Sequence, residues 1–200
     1  GTWEIVLNGS NVLEGKGTEV SGCGLKIKEN VSATIKAGTA PASLTAKNYP
    51  TKGSSGDGSS GIVVDGNLTI KSGTIEATAD AGRNSAPFSG AIVVGRKGTL
   101  NISGGSVTAA GTGKNGMFVR GNFQMAGGSL TVTGSGKPGI ENEGTFELSG
   151  GTISTKSNSD GIGFLQSGRS ATIQDKELIT DRLYITNSSF TVASGGKVTS

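Results

Sequence analysis

Few side chains in this sequence could do chemistry, and their spacing limits what they could do. There is no His, so the commonest general base and the commonest transition-metal ligand are both missing. The single Cys, Cys23, sits among small residues in SGCGLKI, where a buried apolar filler is its expected role. One thiol makes neither an internal disulfide nor a zinc site. Glu141 and Glu143 stand two residues apart on one strand and share a face, the start of a paired-carboxylate arrangement. The aligned positions in neighbouring repeats are Phe118, Arg120, Gly163 and Leu165, so the second carboxylate is absent and the chain is expected not to be an enzyme. Calcium is the one cofactor left open. SNSDGIG around Asp160 is its best candidate, although one Asp is not a site.

The basic residues are more regular. Lys52, Arg83, Lys114, Lys137 and Lys156 fall one per repeat in loops at 47–60, 80–89, 111–115, 134–138 and about 156–160. A column of cations on one edge could hold an extended polyanion such as an acidic polysaccharide. The same column could equally be a solvated edge that keeps the molecule soluble. A net charge of +3 without any basic block argues against nucleic acid. No apolar stretch is long enough to cross a bilayer, so membrane insertion is not expected.

These side chains need a frame, and the repeats describe one. LSGGTIST from Leu148 returns as MAGGSLTV from Met125, ISGGSVTA from Ile102 and IKSGTIEA from Ile70. Gly104, Gly127 and Gly150 lie 23 residues apart, and marker glycines at 61, 90, 116, 139 and 161 precede them. A period in this range means stacked supersecondary units. Each unit splits into three short alternating strands. Leu68 and Ile70, Leu100 and Ile102, Phe123 and Met125, and Phe146 and Leu148 bracket Thr69, Asn101, Gln124 and Glu147. That alternation turns one side of each strand inward. The expected fold is all-β: a single-stranded right-handed parallel β-helix of about seven coils of 22–23 residues, a rod roughly 30–35 Å long. The Gly-Gly step is its corner, because Gly takes φ > 0 without a Cβ penalty. One domain over 1–200 is expected, with residues 1–23 as an N-terminal coil or cap, 24–165 as regular coils and 166–200 as irregular final coils. The charges of Asp175, Lys176, Glu177, Asp181 and Arg182 would blunt the last edge.

Function must come from what points outward. One outward column of the first strand reads Lys26, Val63, Ile92, Phe118, Glu141, and its neighbour reads Lys28, Asp65, Val94, Arg120, Glu143. Three apolar side chains in successive coils would form either an exposed contact patch or a patch covered by the loop at 47–60. Arg120 and Glu143 lie one coil apart and could pair. The third strand's outward columns are rich in Ser and Thr, as β-propensity alone would produce.

The phrases GNLTIKSGTIEATA, GTLNISGGSVTAA and GTFELSGGTIST, alternating with GIVV or DGIG, resemble the repeats of bacterial secreted carbohydrate-binding β-helix proteins. That resemblance covers residues 61 to about 165. It implies a lyase-like shape without catalysis, binding of plant-type or acidic polysaccharides, and calcium in some members. The family's acidic motif is met only by Asp160, Gly161 and Ile162; Ser60, Ser89, Asn115 and Pro138 precede the other marker glycines. Similar repeats occur in large surface proteins of gut bacteria. The expected function is therefore a secreted or cell-surface module that binds a polysaccharide or cell-surface glycan through the basic edge and the first-strand stripe. The alternative is a structural spacer of a longer bacterial surface protein.

Overall fold

Every element among the described residues is a strand, because alternating Val, Ile, Leu, Phe and Thr are cut every few residues by glycine. The computed structural model describes residues 1–15, 22–48, 60–80, 89–158 and 162–200. In chain order the strands are β1 (Thr2–Gly15), β2 (Leu25–Ile27), β3 (Ser32–Asn48), β4 (Ile62–Val64), β5 (Asn67–Ile70), β6 (Thr74–Asp80), β7 (Gly90–Val94), β8 (Thr99–Ile102), β9 (Ser106–Thr112) and β10 (Asn115–Val119). They continue as β11 (Asn122–Gly134), β12 (Ile140–Asn142), β13 (Thr145–Ser157), β14 (Phe164–Gln166), β15 (Ser170–Ile173), β16 (Glu177–Thr180), β17 (Leu183–Ile185), β18 (Ser189–Val192) and β19 (Lys197–Thr199). They form one sheet of twelve strands and one of seven, the latter in the order β17-β14-β12-β10-β7-β4-β2. The pairings are parallel, and each strand lies beside its counterpart in the adjacent repeat. This all-β, parallel arrangement is compatible with a parallel β-helix.

Stacking in register lines up side chains of one kind. Ala33, Leu68, Leu100, Phe123, Phe146 and Ala171 form one inward column, and Ile35, Ile70, Ile102, Met125, Leu148 and Ile173 form the next. All twelve are buried in the core. Ile75, Val107, Leu130 and Ile153 continue it on the third strand. Toward the C-terminus the core becomes aromatic. The rings of Phe123 and Phe146 stack at 4.6 Å, Phe146 meets Phe164 edge-on at 5.0 Å, and Phe164 meets Phe190 at 5.9 Å. One inward column also turns polar: Asn142 follows Val119 and donates from Nδ2 to Gln166 Oε1 at 2.7 Å. Both amides are wholly buried, and Gln166 Nε2 has no partner.

The Gly-Gly corner uses its two glycines differently. The second glycine is left-handed, with φ of 82° at Gly105, 80° at Gly128 and 79° at Gly151. The first is needed for space. A Cβ on Gly104 would lie 2.3 Å from the Lys71 carbonyl oxygen of the repeat beside it. Ser72 fills this place in the earlier repeat, where its hydroxyl accepts the Ala37 N–H at 2.8 Å.

The pairing runs on through the last residues. β17, β18 and β19 add to β14, β15 and β16 in parallel, and Leu183, Phe190 and Val198 pack against the core. The expected blunting charges therefore do not stand on the final edge: Glu177 opens β16, and β19 lies beyond it. Large apolar side chains face outward at both ends. Trp3, Val6, Val12 and Leu13 are exposed on β1, and Ile179, Tyr184, Ile185 and Val192 in the last strands.

Candidate functional site

Among the described residues, Lys114, Lys137 and Lys156 do not line up as the expected basic column. Lys52 and Arg83 lie outside the described residues, as does Asp160 with the calcium candidate. Lys137 and Lys156 are exposed, but Lys156 stands on β13 opposite Thr133 rather than opposite Lys137. Lys114 is a correction: it is 1 % exposed, among the largest fully buried side chains. Only Gly113, at φ 64°, and Lys114 separate β9 from β10, a tight turn in which the lysine side chain is buried. Burial lowers the lysine's pKa, and the charge of Asp80 opposes that shift.

The first-strand stripe forms with a change of membership. The register places Lys26, Val63, Val93, Phe118 and Glu141 in one column. Ile92 pairs with Ile62 and Met117, Val94 with Val64 and Val119, and both point into the core. Gly90 pairs with Asn115, not Gly116, so its repeat is offset by one residue and the faces exchange. Val63, Val93 and Phe118 are outside the core cluster, yet they are 6 %, 7 % and 0 % exposed. The apolar patch is thus covered. Of the loop at 47–60, expected as its cover, residues 49–59 lie outside the described residues. Glu141 is half-buried, and its Oε2 accepts from Asn115 Nδ2 at 2.9 Å.

Beside this patch the outer face of the seven-stranded sheet carries a shallow groove. One part, of about 200 Å³, is lined by Lys26, Val63, Asp65, Val93, Gly95, Arg96 and Arg120. A second part, of about 160 Å³, is lined by Arg96, Arg120, Glu143 and Arg169. The shared arginines join the two. Four cations thus face two carboxylates. Lys26 Nζ lies 3.2 Å from Asp65 Oδ2, and Arg120 Nε lies 3.4 Å from Glu143 Oε2.

The corner after the first strand positions these charges. Asp65, Gly95, Arg120, Glu143 and Ser167 each donate their backbone N–H to the preceding repeat's last first-strand carbonyl, at 2.8–2.9 Å. Side chains one place past the strand therefore stack along the sheet edge. At most of these corners a glycine follows, because a Cβ on Gly66, Gly121 or Gly144 would lie within 2.3 Å of backbone oxygen. The third corner is longer: Gly98 N–H closes on Gly95 O at 2.8 Å, and Arg96 and Lys97 stand out between them. Arg96 and Arg169 escaped the sequence reading, which sought function in the loops after the third strand and in the outward columns of the first strand. A signal was present: VGRKG, VRGN and SGRS each set an Arg against a corner Gly.

Among the described residues no group of three His, Cys, Asp or Glu side chains could hold a metal ion. Cys23 is half-buried, and burial raises its thiol pKa above the usual value. No family model, no curated protein and no solved structure matches this chain.

Proposed function

We propose that the chain is a right-handed, single-stranded parallel β-helix of about seven coils that acts as a secreted or cell-surface, non-enzymatic module binding an acidic glycan. One first strand per coil supports the count, since the smaller sheet has seven strands. The observation that carries the function is the groove in which Arg96, Arg120 and Arg169 converge. Guanidinium groups recognise carboxylate and sulfate in bidentate geometry. Glu143 holds Arg120 in place, and the remaining positive excess attracts an anionic chain. The groove is shallow and open, which suits a polymer lying across the strands. Arg96 and Arg169 are exposed, so Arg96→Glu with Arg169→Glu leaves the fold intact. The double variant should weaken retention on an acidic polysaccharide by about tenfold or more, about 1.4 kcal/mol or greater. Unchanged retention would remove the groove from the binding site.

A spacer in a longer surface protein is the second reading. The large apolar side chains exposed on β1 and in the last strands support it, with Trp3 at 66 % exposure and Tyr184 at 50 %. A rod whose arginine variants and parent bind nothing would favour it.

A further inference from the structure

We infer that the ligand of this groove is a polysaccharide whose acidic sugars are separated by neutral ones, and that Asp65 and Glu143 select against a chain charged on every sugar. The inference rests on the glycan reading and names its substrate class. The groove runs across the strands, so each repeat offers the ligand one corner, and successive corners are about 4.8 Å apart. Along the edge the corners carry Asp65, then Arg96, then Arg120, then Glu143, then Arg169. This is not a continuous basic track. A carboxylate interrupts it on either side of the Arg96 and Arg120 corners.

The ion pairs sharpen this pattern. Asp65 compensates Lys26 at 3.2 Å, and Glu143 compensates Arg120 at 3.4 Å. Arg96 and Arg169 are exposed and stand in no ion pair among the described residues. The uncompensated positive charge therefore lies at two corners three repeats apart, about 14 Å, with the Arg120–Glu143 pair between them. A sugar ring in an extended chain spans about one such step. A polymer charged on every sugar would therefore set one carboxylate against Glu143 and, farther along, another against Asp65. Like charges brought together in this way oppose binding. Both acids are within reach of a ligand, since their side chains are 31 % and 36 % exposed. A neutral sugar at those corners meets no repulsion. Its hydroxyl groups donate to the carboxylates in charge-assisted hydrogen bonds. The acidic sugars on either side then meet the guanidinium forks of Arg96 and Arg169.

The test measures retention of the whole chain in native gels that contain hyaluronan, charged on alternate sugars, or polygalacturonate, charged on every sugar, at equal carboxylate concentration and low salt. Charge density alone would favour polygalacturonate. The chain should instead be retained more strongly by hyaluronan. Glu143→Gln, which keeps a hydrogen-bonding side chain beside Arg120, should shift the ratio toward polygalacturonate by about threefold or more. Asp65→Asn should shift it in the same direction. Equal or stronger retention of the parent on polygalacturonate, or a ratio that neither variant moves, would overturn the inference and leave the glycan reading standing. Retention on neither polymer would remove both.

Discussion

Gly73 and Gly104 occupy the same kind of corner and are glycine for different reasons. Gly73 has φ of 99°, and a Cβ there would find its nearest atoms at 3.2–3.3 Å. Gly104 is not left-handed, but its Cβ would press a carbonyl oxygen at 2.3 Å. Gly73→Ala should therefore cost about 1–2 kcal/mol, and Gly73→Asn less, because Asn enters the left-handed region more readily. Gly104→Ala should cost about 1–3 kcal/mol through overpacking, with no relief from Asn. Denaturant unfolding of the four variants separates the two causes. Lys114 gives a pH signature at the same scale. Its charged form is disfavoured in the fold, so the penalty is complete below the lowered folded pKa. It fades as pH climbs toward the unfolded value of about 10.4. The stability difference between Lys114→Met and the parent should thus shift in the parent's favour as pH rises through that window. A difference that does not change with pH would mean that the ammonium is not desolvated. No pattern in GTGKNG distinguished Lys114 from Lys137 in SGKPG; only the packing around the turn does so.

At the scale of strands, the second and third strands were legible in the sequence because their alternation is strict. Leu68, Ile70, Leu100 and Ile102 all point inward as their spacing requires. The first strand was harder. GAIVV and GIVV are apolar on both faces, so alternation gives no phase, and the marker glycine misled by one residue at Gly90. The error reached the candidate site, since Ile92 took the place that belongs to Val93. Arg120 and Glu143 were legible because each stands one place past its strand, just before a glycine, whereas Arg96 stands in a corner two residues longer. The aromatic run is the main packing element of the C-terminal half. Phe146→Ala removes the ring between Phe123 and Phe164 and should cost about 3–5 kcal/mol, read by denaturant unfolding. The last strand has a weaker tie. The Thr199 hydroxyl and then Lys197 hold the Glu177 carboxyl below its usual pKa. A depressed carboxylate stabilises above its unfolded value of about 4.3 and loses that contribution as pH falls through the folded one. Protection of the Val198 amide against hydrogen exchange should therefore drop in that acid window, and Glu177→Gln should abolish the step.

The whole molecule is a stack of repeats in parallel register. The seven-stranded sheet brings Lys26, Arg96, Arg120 and Arg169 to one groove from sites as far apart as 143 positions in sequence. Because the groove is open to solvent, its attraction for an anion is screened by salt over a Debye length of about 10 Å at 0.1 M. The most direct test is therefore retention of the purified chain on a panel of neutral and acidic polysaccharides, at low and moderate salt, with and without calcium. The account predicts retention by the acidic members alone, weakening as salt rises. Equal retention on neutral and acidic members, or none on any, would contradict it.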